Sequence, residues 1–275
     1  MIKRDKNGLT EEEFLQAYKP GDYDRPSVTV DMVVYRLKEN LSSLQLLLIR
    51  RKNHPYIDCW ALPGGFIGMK ESAYEAACRE LKEETNLSDV YLEQLYTMTQ
   101  PDRDPRMRVI DIVYTALLPY GIKPQAGDDA SEAVWFDITF NDEIVTFANK
   151  EKNITIKYSL KEKIFKNGCI SVKSYIPELI SYEALAFDHA QIIIEGLMRL
   201  RNKTQYSDVA FNLMPKEFTL PDLQRVYEII LGKQLYKTSF KRSINDKIKA
   251  VNKKGVSITG NKLSELYVYS NESQE

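Results

Sequence analysis

The stretch RELKEETNL, Arg79 to Leu87, crowds Glu80, Glu83 and Glu84 into five residues. On a helix these stand at i, i+3 and i+4, on one face, with Cβ atoms about 5–6 Å apart. Like charges so placed repel and weaken the helix, and Arg79, four residues before Glu83, offsets only part of that. A divalent cation would offset more, because Mg²⁺ prefers carboxylate oxygens and is often shared with substrate phosphates. The pattern Ser72-x-x-Glu75 is a capping box, so the helix is expected over about 72–86. Asn86 stands where a helix stop belongs, and asparagine follows glycine in tolerance of the left-handed geometry such a stop uses.

Working outward, Gly65 lies six residues before Glu71, and Glu71 lies eight before Arg79. With WALPGG ahead of it and Leu87 behind, this spacing resembles the signature of the Nudix, or MutT-like, pyrophosphohydrolases, with only the final glycine replaced by Asn86. The resemblance implies a loop–helix–loop that holds Mg²⁺ or Mn²⁺ and hydrolyses a nucleoside diphosphate linked to another group. By position, Glu80 and Glu84 resemble the direct metal ligands, and Glu83 a ligand acting directly or through water. Arg79 resembles the residue that orients Glu83, Gly64 the backbone carbonyl ligand, and Glu71 the brace of the loop. Asp128, Asp129, Glu132 and Glu143 are the unranked candidates for general base.

The flanking pattern is of strands, then a helix, then strands. VTVDMVVYRL and LQLLLIRR precede the helix, and strands are expected near 90–99, 108–118 and 133–137. That order predicts an α+β or layered α/β/α core, an α/β/α sandwich of the Nudix type. Residues 1–26 read as an arm with one short helix capped at Thr10. Residues 140–180 look like an insertion containing a hairpin that turns at Asn167 and Gly168. A helix is expected over about 181–201, so the first domain is set at 27–203. The last domain, 206–275, begins with a helix capped by Thr219. The segment SFKRSINDKIKAV is read as a second helix carrying Lys241, Arg242 and Lys247, followed by two strands. Helix, basic helix and hairpin is the order of a winged helix-turn-helix, whose second helix can enter a major groove.

The net charge of −1 conceals an asymmetry: residues 232–262 hold nine basic residues against one acid, Asp246. Such a window suggests an anionic partner for the C-terminal part, which for a winged helix is double-stranded DNA. Arg103, Arg106 and Arg108 lie between two expected strands, where guanidinium forks could hold a diphosphate. YDRPSVTVDMVVY, the DRDPR of Asp102–Arg106, and FNLMPKEFTLPDLQRVYEIILG are similar to the Nudix-related transcriptional regulators. That resemblance implies binding of ADP-ribose or a related NAD metabolite together with DNA, a sister group answering to sugars. Two functions follow, a hydrolase of ADP-ribose or a related nucleoside diphosphate, or a regulator that senses the ligand with little or no hydrolysis. The three scattered cysteines, the charged N-terminus and the lack of any apolar run near 18–20 residues predict a cytoplasmic protein without a membrane span. A homodimer is expected. Cys78 is expected to be buried, and His54 and His189 to be structural or surface residues.

Overall fold

The computed structural model describes residues 3–19, 21, 24–86, 88–119, 130–141, 143–260 and 262–270. The chain begins with α1 (Glu11–Ala17), capped by Thr10 in a reciprocal capping box with Glu13. Then follow β1 (Ser27–Leu37), β2 (Leu44–Arg51), β3 (Trp60–Ala61), β4 (Gly64–Phe66), α2 (Ala73–Thr85), β5 (Tyr91–Met98), β6 (Val109–Leu118) and β7 (Ala130–Phe140). The middle of the chain adds β8 (Ile144–Asn149), β9 (Ile154–Asn167), β10 (Ile170–Leu179) and α3 (His189–Lys203). The last elements are a 3₁₀ turn at Val209–Leu213, β11 (Phe218–Thr219), α4 (Leu220–Leu231), α5 (Lys237–Ile244), β12 (Ile248–Val256) and β13 (Leu263–Tyr269).

The large sheet runs β10-β9-β8-β7-β2-β1-β6-β5, with β3 on β2 and β4 on β1. It is mixed: β1 pairs parallel with β6 and antiparallel with β2. Strict alternation along β1 divides its side chains between two cores. Val33, Tyr35 and Leu37 face α3, while Val30, Met32 and Val34 face Ala76, Ala77 and Leu81 of α2. The sheet is thus covered on both faces, the expected α/β/α sandwich. The core on the α3 side continues through Leu213, Leu223, Val226 and Phe240, so it reaches the last elements without a break.

Those last elements form α4, α5 and a three-stranded sheet ordered β11-β13-β12, the winged-helix order. Thr219 caps α4, and Gly232 ends it in the left-handed region at φ 67°. Asp222 on α4 is buried. Its carboxylate accepts the Ser257 hydroxyl at 2.9 Å, the Ile258 amide at 3.2 Å, the Thr259 amide at 3.1 Å and the Thr219 hydroxyl at 2.7 Å. One side chain therefore ties the turn between β12 and β13 to α4. Asp222→Ala would strand these donors, and its expected cost is about 3–5 kcal/mol, read as a lower urea midpoint. Asp222→Asn, which keeps an acceptor, should cost less.

Three expectations are corrected. The helix expected from about 181 begins only at His189, because residues 184–186 instead bond to Trp60: the Trp60 amide donates to the Ala184 carbonyl, and the Ala186 amide donates back to Trp60. The basic helix ends at Ile244, and IKAV belongs to β12. Lys247 therefore lies past α5, with its ammonium held by Asp208 at 2.6 Å. Cys78 is exposed, and its thiol meets the Tyr74 hydroxyl.

Candidate functional site

The acidic helix forms as its local signals dictate. The Ser72 hydroxyl accepts the Glu75 amide while the Glu75 carboxylate accepts the Ser72 amide. Such a cap is worth about 1 kcal/mol. Asn86 ends the helix at φ 56°, its amide donating to the Lys82 carbonyl.

On the helix the three glutamates differ. Glu80 and Glu84 are buried, whereas the Glu83 side chain is 53% exposed. Arg79 grips the preceding loop, donating to both oxygens of Glu71 at 2.9 and 3.2 Å and to the Phe66 carbonyl at 3.3 Å. It also donates to Glu80 at 2.7 Å, and it stands 3.6 Å from Glu83. Glu71 in turn accepts the Gly68 amide at 2.7 Å. The Arg79 bond and that amide lower the pKa of Glu71. Burial raises that of Glu80; Arg79 opposes the shift, and Glu83 and Asp31 add to it.

Two glycines are required where loop meets helix. A Cβ on Gly65 would overlap the Glu80 carboxylate, and one on Gly64 would overlap Asp31 and the Val30 carbonyl, far inside contact distance. Gly65→Ala must push the Glu80 carboxylate aside, which a flexible side chain permits without unfolding. The expected result is a near-native unfolding midpoint without the rise on adding Mn²⁺ or Mg²⁺ that is expected of the native protein.

Beside this loop opens a cavity of about 240 Å³, lined among others by Asp31, Arg51, His54, Gly64, Gly65, Phe66, Arg103, Arg106, Phe187 and His189. Its floor is a buried charge cluster. Arg103, 4% exposed, donates to Asp188 at 2.7 and 3.0 Å and to Asp111 at 3.3 Å, and stands 3.7 Å from Asp31. His189 accepts the Leu62 amide through Nδ1 at 2.9 Å, which leaves its Nε2–H facing Asp31 at 3.3 Å. Burial, with Asp31 beside it, pushes the Asp111 carboxyl well above its usual range. His189 and Arg103 hold Asp31 below its own despite burial. The rim is aromatic and cationic: Arg51 lies 5.0 Å over Phe187, which packs 4.7 Å from Tyr56, and Arg106 lies 5.7 Å over Phe66.

The predicted arginines separate here. Arg103 reaches the cavity, but with its fork filled by Asp188. Arg106 reaches it too, paired with Asp104 at 2.7 Å. Arg108 is left outside, its guanidinium donating to the Gln100 carbonyl at 3.0 Å. Of the candidate bases, Glu132 is paired with Lys152, Glu143 is exposed and away from the lining, and Asp128 and Asp129 lie outside the described residues. His189, expected to be a structural or surface residue, is buried in the cavity floor, and His54 also lines the cavity. No spacing in the sequence points to either.

Glu80, Glu83, Glu84 and the Gly64 carbonyl are hard oxygen donors, as Mg²⁺ prefers. Among the described residues no three His, Cys, Asp or Glu side chains converge to enclose an ion. Mg²⁺ keeps several waters and needs no such cage, so the chemistry of these donors suits this ion. At the other end of the molecule, α5 buries Phe240 and Ile244, with Phe240 packed 5.1 Å from Tyr227 of α4, leaving Lys237, Lys241 and Arg242 exposed. No helix among the described residues is long and apolar enough to cross a membrane.

Residues 25–155 match the NUDIX domain model, and residues 210–268 match the NrtR DNA-binding winged helix domain. The ADPR-responsive transcriptional repressor NtrR of Acinetobacter baylyi is 31% identical over 266 residues, 96% of this chain and 90% of that protein. The ADP-ribose pyrophosphatase of Methanocaldococcus jannaschii is 46% identical over 116 residues, 42% of this chain and 64% of that enzyme. Shewanella oneidensis NrtR, crystallised with a 27mer DNA, superposes with a TM-score of 0.64 at 28% identity, over 88% of this chain and 93% of that one. The NUDIX domain of that same NrtR, crystallised with ADP ribose, gives 0.50 at 28% identity over 70% of this chain and 99% of its own.

Proposed function

From the premise that the chain belongs to the Nudix-related transcriptional regulators, a Nudix domain joined to an NrtR-type winged helix, we propose that it is a cytoplasmic DNA-binding regulator whose cavity takes ADP-ribose or a related nucleoside diphosphate and whose acidic helix retains hydrolase chemistry. The observation that carries the reading is the coexistence in one chain of a braced, glycine-backed carboxylate set beside a cavity and a short helix with three exposed cations.

Each residue has a role that its position suggests. Arg51 and Arg106 stand at the rim as charge partners for a diphosphate, and Phe187 and Phe66 offer faces against which a base or sugar can lie. Arg79 holds the loop through Glu71 and so keeps Gly64 and Gly65 against Glu80. Glu80, Glu83 and Glu84, with the Gly64 carbonyl, would hold Mg²⁺ or Mn²⁺. Bound there, the metal supplies Lewis-acid polarisation of the pyrophosphate and a lowered pKa for water. Glu83, the glutamate left open to solvent, is placed to take the proton of the attacking water. Lys237, Lys241 and Arg242 provide phosphate and base contacts in a major groove.

The regulatory half is tested by selecting bound duplexes from a random pool and titrating ADP-ribose into the selected complex. Release of DNA over the range in which ADP-ribose binds the protein is expected. Binding of ADP-ribose that leaves the complex intact would show that the cavity does not govern DNA.

A further inference from the structure

The seam between the two domains holds a second cavity, larger than the first, at about 400 Å³ against about 240 Å³. One wall belongs to the Nudix domain: the turn between β1 and β2, the end of β7 and the second half of α3. The other is the second half of α4 with residues 232–234 beyond it. Clefts of this size between domains are preferred places for small ligands. Neither hydrolysis beside α2 nor DNA contact by α5 calls on this one.

Two arginines cross the seam in opposite directions, and both line the cavity. Arg201 of α3 donates its Nε to the Ile230 carbonyl of α4 at 3.2 Å, and Arg225 of α4 donates its Nε to the Leu41 carbonyl of the β1–β2 turn at 3.1 Å. Each guanidinium is therefore held by a backbone oxygen of the other domain. Arg201 also lies 4.6 Å over the Phe140 ring. Gly232 makes room for it, since a Cβ there would stand 3.2 Å from the Arg201 guanidinium. Lys233 adds a third cation, exposed and in no ion pair among the described residues. The one carboxylate of the described lining, Glu228, is committed to its own surroundings. Its Oε1 accepts the Leu235 amide at 3.0 Å and the Gln224 side-chain amide at 3.2 Å, and its Oε2 lies 3.8 Å from Arg225. Leu197, Leu200 and Ile229 make the rest of the wall apolar.

We propose that this seam cavity binds a phosphate monoester on a small ring-bearing metabolite, a sugar phosphate or a mononucleotide, separately from the diphosphate cavity beside α2. A phosphate monoester carries a charge of about −1.5 to −2 at neutral pH, which matches three cations set against one carboxylate. A simple carboxylate would leave one cation unanswered. Guanidinium forks match phosphate oxygens in geometry as well as in charge. The apolar wall takes the carbon body of the ester, which a bare anion does not have. Because one wall belongs to each domain, an occupant touches both at once.

The test is calorimetric titration of the full chain, with metal chelated, using ribose 5-phosphate, AMP, inorganic phosphate and ribose in turn. At least one of the two esters is expected to bind, more tightly than inorganic phosphate, and ribose is expected to give no heat. Lys233→Glu reverses a charge at an exposed position, and Gln234→Trp fills the cavity from another. Each should weaken ester binding at least about tenfold with a native circular dichroism spectrum. Arg51→Ala with Arg106→Ala, at the first cavity, should leave that binding unchanged. Binding of AMP alone would identify a nucleotide site, and of ribose 5-phosphate alone a sugar phosphate site; either supports the proposal. No heat from either ester, inorganic phosphate bound as tightly as the esters, or binding that falls only in the Arg51 and Arg106 variant would overturn it.

Discussion

Glu83→Gln is expected to reduce Mg²⁺-dependent release of AMP from ADP-ribose by at least roughly a hundredfold while leaving the fold and DNA binding unchanged. The three glutamates invite equal treatment, but their surroundings separate them. Glu80 is buried against Gly65 and bonded to Arg79, so its replacement would disturb the loop as well as the chemistry. Glu84 is buried beneath the helix. Glu83 is half exposed, with Arg79 at 3.6 Å, and exposed changes of this kind stay within about 0.5 kcal/mol in stability. A loss of turnover at unchanged unfolding midpoint would therefore report chemistry. Progress curves for AMP, with the midpoint measured on the same preparation, check it.

The second large effect is expected at the other end. Lys241→Ala with Arg242→Ala should weaken DNA binding at least about tenfold near 0.15 M salt. It should also reduce the slope of log affinity against log salt by about two, one counterion released per lost phosphate contact. Both side chains are exposed on α5 while Phe240 and Ile244 anchor its opposite face. The helix should therefore stay in place. Lys247→Ala is the internal contrast. Its ammonium is bound to Asp208, so it should alter stability more than the salt slope. Fluorescence anisotropy at four or five salt concentrations separates the two variants. An unchanged slope in the double variant would remove α5 from the DNA interface.

The parts of this molecule legible in the sequence are those fixed by neighbours along the chain. The capping box at Ser72, the stop at Asn86, the hairpin turn at Asn167 and Gly168 and the cap at Thr219 are all local. They appear where their residues place them. The carboxylates of α2 were visible for the same reason, since a helix converts a spacing of three and four into one face. The cavity floor was not. Asp31 comes from β1, Asp111 from β6, Arg103 from the segment between β5 and β6, and Asp188 and His189 from the start of α3. Only the sheet brings these together, and no periodicity links positions up to 158 residues apart.

The late start of α3 has the same origin. Residues 184–186 satisfy their backbone on Trp60, and that tertiary pairing outweighs the helical propensity of EALAF. Lys247 was misplaced because IKAV carries the β-branched residues of a strand immediately after a helical pattern, and β13 claims it. Arg103 shows the remaining difficulty. An arginine between strands looks free to grip a phosphate, yet here its fork is filled by Asp188.

The most direct measurement is incubation of the purified chain with ADP-ribose and Mg²⁺, following AMP by chromatography while recording the thermal unfolding midpoint with and without the ligand. AMP should appear with ribose 5-phosphate in equal amount, cease when the metal is chelated, and accompany a midpoint raised by ADP-ribose. A raised midpoint with no AMP would remove the hydrolase half and leave a sensor. Neither AMP nor any shift would contradict the placement of ADP-ribose in the cavity beside RELKEETNL.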